Sequence, residues 1–565
     1  MRARSSTELD AQYSVFSARY AVLDRCLSEV LRVYWAIERG LAYPLPVLLR
    51  WRISVGLLSV LAAAGTWHAV AMHAQPLVIF PDSANFMIRA YDGLHGGKVW
   101  RGDYQFLPGY PYLLYWLSWL FPWPINTPLR LLQHGCLVVS HACGYAIVAT
   151  LTRSRSFAVI VALSGLTNLG FAVLGNQLIS EPLYSALVSV TALLLCNYAV
   201  RPRSVLLILA GLSIGAASLV RATGVYVAWL PIILVAATVW RNERPGRQLL
   251  ALVGCLGLVA ACISPVVYLN RTRLHYWGLT HYLGINLYAR VVEYDGVFDA
   301  EAPAQRQILD WWEQRQAERG APTSPPAWRT HWGCARLAME EGGLNQAQAD
   351  DLLRRAALEG IRKDPLGYLR RTANNLVDAL AGDYRLYEYT RLDPPPVDYP
   401  TNYYAGEHVP TWSPYHFNKA SLVSHDLARY YEAIDCFEPF GGPGVAARWN
   451  VIVRASMDAY FGFSWDQRHR LWAWLTVGGA LMSLTLRPRS GWWVLFGLVF
   501  LHVGGAVAVE WPLPRYRLPF DTLLGIYPWL CVVGPLFILR NVATLIISGS
   551  TVKAEPPLPA TPAAA

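Results

Sequence analysis

The stretch "IFPDSANFMIRAYDGLHGGKVWRGDYQFLPGYPYLLYW", residues 79–116, decides how the chain threads through a membrane. It follows an apolar run at 53–72, and a carboxylate, Asp82, comes almost as soon as that run ends. A dense polar cluster follows, and then a short apolar segment with proline, 108–122. Whether this second segment crosses the membrane determines the side on which Asp82 lies.

The composition is that of a membrane protein. Of 565 residues, 54% are apolar and only 15% are charged, whereas about a quarter of the residues of a soluble domain are charged. The apolar residues lie in blocks of roughly 20, the length of a membrane-spanning helix. The sequence therefore predicts a mainly α, polytopic membrane protein. The net charge of +10 does not indicate nucleic acid, because much of the arginine lies in short loops between apolar blocks.

About ten spans of helical length are expected. They lie near 53–72, 129–151, 156–176, 182–200, 204–220, 222–240, 248–269, 470–486, 491–509 and 518–539. If 108–122 is left out of the count, the arginine-rich loops all fall on the side of the basic N-terminus, as the positive-inside rule expects. The segment 108–122 is therefore predicted to be an interfacial or re-entrant helix, with both termini cytoplasmic and Asp82 on the outer face.

Five regions follow from this topology, and juxtamembrane helices are expected beside the spans. They are an amphipathic N-terminal segment, 1–52; a transmembrane core, 53–269, with a first outer loop at 73–128; an α-rich extracytoplasmic insertion, 270–469; C-terminal spans, 470–540; and a flexible tail, 541–565. No cleavable signal peptide is expected. Cys334 and Cys436 share the insertion and could pair if it faces an oxidising compartment. His134 and His141 lie seven residues apart in one span and are expected to be structural.

Two carboxylates begin helices at the outer face. Asp82 opens the segment "DSANFMIRAYDGL", which fits an amphipathic helix starting at Asp82 or Ser83, and the same loop carries further charges. Those charges are Arg89, Asp92, Lys98, Arg101 and Asp103. Glu181 precedes Pro182, a residue type common in the first turn of a helix. Either carboxylate could serve only as a helix cap or a partner of the helix dipole, or it could carry chemistry.

The outward arginines point to an anionic ligand. Arg221 is the only charge in 204–240 and is expected at the outer tip of a hairpin, where an arginine needs an anionic partner or snorkels to lipid phosphate. Arg515 and Arg517 flank Tyr516 between prolines in "EWPLPRYRLPF". Guanidinium groups match phosphate oxygens bidentately, although such a pair could also only anchor the protein to lipid headgroups.

Carboxylates from one loop and arginines from others, on one face, suit a reaction on an anionic amphiphile such as a lipid-linked phosphate sugar. A carboxylate could take the proton from an acceptor hydroxyl while arginines stabilise the departing phosphate. Composition alone leaves open a transporter or flippase of lipid-linked sugars, which would usually hold its polar site near the bilayer midplane. A non-catalytic scaffold built on the insertion is a third class.

Four segments resemble polyprenyl-phosphate-sugar-dependent glycosyltransferases of the GT-C fold, among them protein O-mannosyltransferases and the lipid A aminoarabinose transferase. In chain order they are "PDSANFMIRAYDGL…LPGYPYLLY", "ISEPLYSALVSVTALLL", "GLSIGAASLVRATGVYV" and "RYRLPFDTLL". The segment "ALEGIRKDPLGYLRRTANNL", 357–376, also looks like the juxtamembrane helix of bacterial members. No single motif is specific, and the likeness rests on their order and topological placement.

The resemblance implies an inverting enzyme that moves a sugar from a polyprenyl-phosphate donor to a glycan, glycolipid or protein of the bacterial cell envelope. The active site would face outward from the cytoplasmic membrane, among membrane lipids. The implied base is Asp82, the second acidic residue is Glu181, and "LPGYPYLLY" with Tyr110 matches another family segment. The implied substrate-binding residues are Arg515, Arg517, Arg221, Lys98, Arg101, Tyr516, Arg89 and Tyr110. Asp82 and Glu181 could hold Mg²⁺ or Mn²⁺, but Ser83 stands where some relatives carry a second acid, which favours a single base without metal.

Overall fold

A computed structural model gives the fold of the chain. It describes Ala36 and residues 54–74, 81–100, 106–121, 125–166, 174–239, 245–319, 331–381, 465–486, 489–509 and 520–535. The described residues are mainly helical and contain no β-strand. The predictions for the N-terminal segment, the C-terminal tail, Arg101, Asp103, Cys436 and the segment 510–519 lie outside these residues.

Among the described residues, 526–535 are helical, and eighteen further α-helices are numbered in chain order. They are α1 (Val55–Ala74), α2 (Pro81–Leu94), α3 (Gly109–Leu120), α4 (Asn126–Thr152), α5 (Arg155–Gly165), α6 (Glu181–Val200), α7 (Ser204–Val220), α8 (Trp229–Thr238), α9 (Pro245–Leu274), α10 (Leu283–Tyr288), α11 (Pro303–Arg319), α12 (His331–Glu340), α13 (Gln346–Lys363), α14 (Pro365–Ala381), α15 (Trp465–Ser483), α16 (Arg489–Phe496), α17 (His502–Val509) and α18 (Asp521–Leu524). A 3₁₀ turn, Ala222–Ala228, precedes α8, and π-helical turns cover Ala289–Tyr294 and Gly497–Leu501.

Several described helices are long and apolar enough to cross a membrane. Five qualify by length and composition: Val55–Met72, Thr127–Thr152, Glu181–Val200, Pro245–Leu274 and Ser490–Val509. Four shorter apolar helical stretches accompany them: Arg155–Gly165, Ser204–Val220, Ala222–Thr238 and Ala473–Ser483. The protein is therefore a polytopic α-helical membrane protein, as the sequence predicts, and the number of ten crossings stays a prediction.

The centre of the membrane part is α6, which packs between α4 and α7. The next layer forms because α7 carries glycines four residues apart, Gly211 and Gly215, which face α9. A β-carbon on Gly211 would lie 2.5 Å from the carbonyl oxygen of Cys255. Small residues at this spacing allow membrane helices to approach closely and gain dispersion contacts. This packing holds α9 closely against α7, the helix that ends directly before Arg221.

The first outer segment forms its own small core on top of these helices. Helices α2 and α3 pack together through buried Phe86, Met87, Tyr110 and Leu114. At 12 residues, α3 is about 18 Å long, shorter than the roughly 30 Å hydrocarbon core. Its other face exposes large aromatic residues such as Trp119. The interfacial position expected for 108–122 stays a prediction.

A second core lies in the insertion, where α10 to α14 pack around buried Ile285, Tyr288, Leu352 and Leu353. Asn345 caps α13 through a capping box with Gln348. The described part of the insertion is thus helical, as predicted. The thiol of Cys334 is buried here and donates to the hydroxyl of Tyr288 at 3.4 Å. Its pairing with Cys436 stays a prediction.

Candidate functional site

The centre of the candidate site is an ion pair between Glu181 and Arg221. Nη1 of Arg221 lies 2.6 Å from Oε1 of Glu181, and the side chains are 21% and 4% exposed, respectively. The hydroxyl of Ser180 lies 3.4 Å from the other carboxylate oxygen. Two residues that the sequence singled out separately, 40 positions apart, therefore meet. The anionic partner that Arg221 needs is supplied by the protein itself.

The helix ends explain this meeting. Glu181 is the first residue of α6, followed by Pro182, and its charge is favourable at the positive end of the helix dipole. Arg221 directly follows α7, where a cation is favourable near the helix C-terminus. Because α6 and α7 are packed neighbours running in opposite directions, the start of one lies beside the end of the other. The pair therefore sits where two helix ends meet.

The helix that carries Asp82 abuts the segment before Glu181. Helix α2 begins at Pro81, within a residue of the predicted start. The buried hydroxyl of Ser83 donates to the backbone carbonyl of Leu178 at 2.5 Å. Asp82 therefore directly precedes Ser83, whose hydroxyl is hydrogen-bonded to Leu178, three positions before Glu181. The side chain of Asp82 lies outside the described residues, so its role as a base stays a prediction.

Tyr110 lies in the wall of this region, held by a close approach of two helices. Its side chain is fully buried, and its hydroxyl donates to Oε1 of Gln133 at 2.6 Å. The preceding Gly109 has no room for a side chain, since a β-carbon there would lie 2.7 Å from the carbonyl oxygen of Leu219, at the end of α7. Tyr110 is thus buried in the site wall, and its predicted role in substrate binding stays a prediction.

A polar network that sequence reasoning missed lies beside the site, around Arg130 and Asn176. Arg130 is 1% exposed, although the span was expected to be almost free of charge. Its Nε donates to Oδ1 of Asn176 at 3.0 Å, and Nε2 of His134 lies 3.2 Å from the same oxygen. Asn176 also donates to the carbonyl of Ala71 at 2.9 Å, and Nδ1 of His134 lies 3.0 Å from Nδ1 of His68.

This network ties the end of α1 to the loop that leads into α6. Arg130, Gln133 and His134 lie on one face of α4, at the three- and four-residue spacing of a helix. That spacing was the available signal, but their partners are 42 to 46 residues away in sequence. His134 is structural, as expected, and it belongs to a connected set.

Tyr184 forms the opposite side of the site, one turn into α6. The hydroxyl of Thr223 donates to the Tyr184 hydroxyl at 3.3 Å, and Nε2 of His502 lies 3.5 Å from the same oxygen. The ring of Phe520 packs 4.3 Å from that of His502, centroid to centroid. The first described residue after the Arg515–Arg517 segment therefore packs near Glu181 and Arg221.

The remaining predicted binding residues divide into two groups. The guanidinium carbon of Arg89 lies 5.1 Å from the ring centre of Phe106, a cation–π contact within α2 and the following loop. Lys98 is exposed in the first outer segment. Arg101, Arg515, Tyr516 and Arg517 lie outside the described residues.

The described part of the site does not suit a divalent cation. A guanidinium group occupies the place beside Oε1 of Glu181 that a metal ion would need, and its positive charge would repel the ion. Within the described ranges, no group of three histidine, cysteine or acidic residues could hold a metal. The implied Mg²⁺ or Mn²⁺ is therefore given no role in the chemistry below.

Comparisons with known proteins return solved structures of membrane glycosyltransferases. One is the archaeal oligosaccharyltransferase AglB from Archaeoglobus fulgidus in complex with an inhibitory peptide and a dolichol-phosphate: 14% identity over 88% of this chain and 52% of that chain, TM-score 0.40. A second structure is the Archaeoglobus fulgidus oligosaccharyltransferase in complex with Zn and sulfate. It has 11% identity over 87% of this chain and 51% of that chain, with a TM-score of 0.39. A third is ArnT from Cupriavidus metallidurans bound to undecaprenyl phosphate. It has 13% identity over 89% of this chain and 81% of that chain, with a TM-score of 0.34.

These structures are GT-C fold glycosyltransferases. The chain spans about half the length of the oligosaccharyltransferase that it matches. No protein-family model and no curated protein matches the sequence. At these identities and TM-scores, the matched structures assign no role to any residue of this chain.

Proposed function

We propose that the protein is an inverting, GT-C-like membrane glycosyltransferase that moves a sugar from a polyprenyl-phosphate donor to an acceptor of the cell envelope. The acceptor would be a glycan, a glycolipid or a protein outside the bacterial cytoplasmic membrane. The observation that carries this proposal is the ion pair between the buried Glu181 carboxylate and the partly exposed Arg221 guanidinium, 2.6 Å apart. It lies beside the start of the helix that carries Asp82.

This arrangement offers the two charges that the reaction needs. The Asp82 carboxylate would remove the proton from the acceptor hydroxyl while the hydroxyl oxygen of the acceptor bonds to the anomeric carbon of the donor sugar. The bond between that carbon and the phosphate oxygen would break on the opposite side, which inverts the configuration. Arg221 would stabilise the charge that develops on the departing polyprenyl phosphate. Glu181 would hold Arg221 in place and orient the sugar.

Chain connectivity supports a role for Arg515 and Arg517 in the same place. Phe520 packs against His502, which in turn contacts Tyr184 on the first turn of α6. A residue three positions away along an extended chain is at most about 11 Å distant, Cα to Cα. Arg517 is three positions from Phe520, so its long side chain could reach a phosphate bound at Arg221.

The test is sugar release from a labelled donor. Purified protein in nanodiscs would be incubated with undecaprenyl phosphate carrying a radiolabelled hexose or aminopentose, with a cell-envelope extract as acceptor. We expect free undecaprenyl phosphate and labelled acceptor. A positioned general base contributes about 10²- to 10⁴-fold to rate, so Asp82→Asn should lower the rate at least about 100-fold.

The matched control is Asp310→Asn on α11, an exposed carboxylate that is 55% accessible and away from the site. It should transfer sugar at the wild-type rate. Undiminished transfer by Asp82→Asn would remove the proposed base. Movement of the labelled lipid between leaflets with the sugar bond intact would instead indicate a flippase.

A further inference from the structure

One face of α9 is exposed from its apolar middle to its basic end. Its residues recur at steps of three and four, as one face of a helix does, and all are exposed: 250, 253, 257, 261, 264, 268 and 271. The opposite side carries Cys255, which contacts Gly211 of α7. Because α9 is long and apolar enough to cross a membrane, acyl chains are the expected covering of the apolar part of this face.

A hydrogen-bonded turn directly after α9 presents Trp277. The amide nitrogen of Asn270, a fully buried residue, lies 2.7 Å from the hydroxyl oxygen of Tyr276. It also lies 2.9 and 3.0 Å from the carbonyl oxygens of Gly278 and Leu279. Trp277 stands between these anchored residues and is 75% exposed. The exposure of this large ring is therefore built into the turn, and an exposed aromatic side chain held in this way indicates a contact with another molecule.

The ring of Trp277 lies against an arginine of the exposed face. The guanidinium carbon of Arg271 is 5.5 Å from the ring centre, a cation–π contact. Arg273 is exposed beside them, and the nearest acidic residues in sequence on either side are Glu243 and Glu293. The end of α9 is therefore a basic and aromatic surface with no acid in its own stretch of chain, which suits an anionic partner.

We propose that Tyr268, Arg271 and Trp277 form a binding site for the headgroup of an anionic phospholipid. The acyl chains lie along the apolar part of the exposed face of α9. The phosphate binds the Arg271 guanidinium, whose fork matches phosphate oxygens. The two aromatic rings lie at the headgroup level, which tyrosine and tryptophan favour. The bound lipid anchors the point at which the chain leaves α9, and this role does not depend on the proposed glycosyl transfer.

The placement of the site favours a lipid of the surrounding bilayer over a lipid-linked substrate. The exposed face of α9 points away from α7, whereas the Glu181–Arg221 pair lies at the end of α7. Bilayer phospholipids are abundant, so a modest affinity is enough to fill the site. One arginine near an anionic lipid surface strengthens binding on the order of fivefold. The preference for an anionic headgroup should weaken as the salt concentration rises.

The test measures binding of single lipids to the delipidated full-length protein in detergent by native mass spectrometry. Phosphatidylglycerol and phosphatidylcholine with identical acyl chains are titrated separately. We expect the wild type to bind phosphatidylglycerol more tightly, and Arg271→Gln to bind it about fivefold more weakly than wild type with an unchanged affinity for phosphatidylcholine. Arg355→Gln, which removes an exposed arginine of α13, is the matched control and should equal the wild type.

Two further variants test the geometry of the site. Trp277→Leu should weaken binding of phosphatidylglycerol on the order of twofold to fivefold, because Arg271 loses its cation–π partner. Its control is Trp474→Leu, which removes an exposed tryptophan of α15. Arg271→Lys keeps the charge but not the fork, so its affinity should lie between those of wild type and Arg271→Gln. Because all these side chains are exposed, every variant should melt at the wild-type temperature.

Two results would overturn the proposal. One is an equal affinity for phosphatidylglycerol in wild type, Arg271→Gln and Arg355→Gln, which would show that the arginine binds no headgroup. The other is tighter binding of undecaprenyl phosphate than of phosphatidylglycerol, lost in Arg271→Gln, which would assign the surface to a lipid-linked substrate instead.

Discussion

At the scale of single residues, the Glu181–Arg221 pair is the feature on which the chemistry depends. The carboxylate is almost fully buried while the guanidinium keeps about a fifth of its surface exposed. Removing charge from water costs several kcal/mol per ion, which the partner must offset. The two residues are therefore unequal, because only the arginine can recover hydration when its partner is lost.

A double-mutant cycle tests this inequality. Arg221→Met should destabilise the protein by about 3 kcal/mol, since it leaves a buried carboxylate unpaired. Glu181→Gln should cost less, because the remaining arginine is partly solvated. The double variant should be more stable than the sum of the single losses predicts. Unfolding in mixed micelles of increasing denaturant content gives the three values, and additivity within about 0.5 kcal/mol would show that the pair is uncoupled.

Sequence reasoning found the members of this pair but not the pairing. Glu181 and Arg221 each stood out as a charge at the edge of an apolar block, a local signal. Their contact depends on how α6 and α7 pack, which periodicity does not specify. Arg130 was missed for the opposite reason, because it lies within an apolar helix and its amide partner, Asn176, is 46 positions away.

At the scale of elements, the position of α3 depends on one close approach. Gly109 starts the helix directly against the last turn of α7, and the nearest atom to a β-carbon there would be a backbone oxygen that cannot rotate away. Overpacking of this kind costs about 1–3 kcal/mol. The glycine in "LPGYP" is thus required for steric reasons. It allows α3 to pack against α7, the helix that ends before Arg221.

Gly109→Ala should therefore push α3 away from α7, with about 1–3 kcal/mol of lost stability and reduced transfer activity. Gly135→Ala is the matched control, because a β-carbon at Gly135 on α4 meets nothing within 4 Å. Alanine in a helix interior is favoured over glycine by about 0.5–1 kcal/mol, so this variant should be as stable as wild type or more stable. Thermal unfolding, with aggregation as the readout, measures the stability of both variants. Equal behaviour of the two variants would contradict the steric account.

Element boundaries were predicted where a helix starts with a strong local signal. Helix α2 begins within a residue of the predicted start, and α6 begins at Glu181 as its proline suggests. The spans expected as single helices near 222–240 and 491–509 contain a 3₁₀ turn and a π-helical turn instead. Such turns depend on tertiary packing, which the hydrophobic pattern does not report.

At the scale of the whole molecule, polar contacts hold the chain that follows the long helix α9 against α13. One lies at the entry to the insertion, where Nδ1 of His281 is 3.0 Å from Oδ2 of Asp350. The other carboxylate oxygen of Asp350 accepts the backbone N–H of Ile285 at 2.8 Å. Composition and apolar block length could not predict these contacts, because the partners are distant in sequence.

The His281–Asp350 contact should make this entry sensitive to pH. The hydrogen bond to Asp350 raises the pKa of His281 above 6.5, against the opposing effect of burial. A raised pKa in the folded state contributes stability that is complete below the unfolded pKa and is lost as the pH rises through the folded pKa. The protection factor of amide exchange over 283–288, which corrects for the intrinsic rise of exchange with pH, should therefore fall as the pH rises above about 6.5. His281→Gln should flatten this dependence, whereas exposed His95→Gln should leave it unchanged, and a pH profile identical in all three proteins would rule the contact out as its source.

The length of α9 has a consequence for the space above the bilayer. Its 30 residues extend about 45 Å, and even a tilt of about 40° leaves it longer than the roughly 30 Å hydrocarbon layer. The helix ends with Arg271 and Arg273, whose charges favour water or lipid headgroups over the acyl chains. The chain after α9 should therefore begin beyond the hydrocarbon layer.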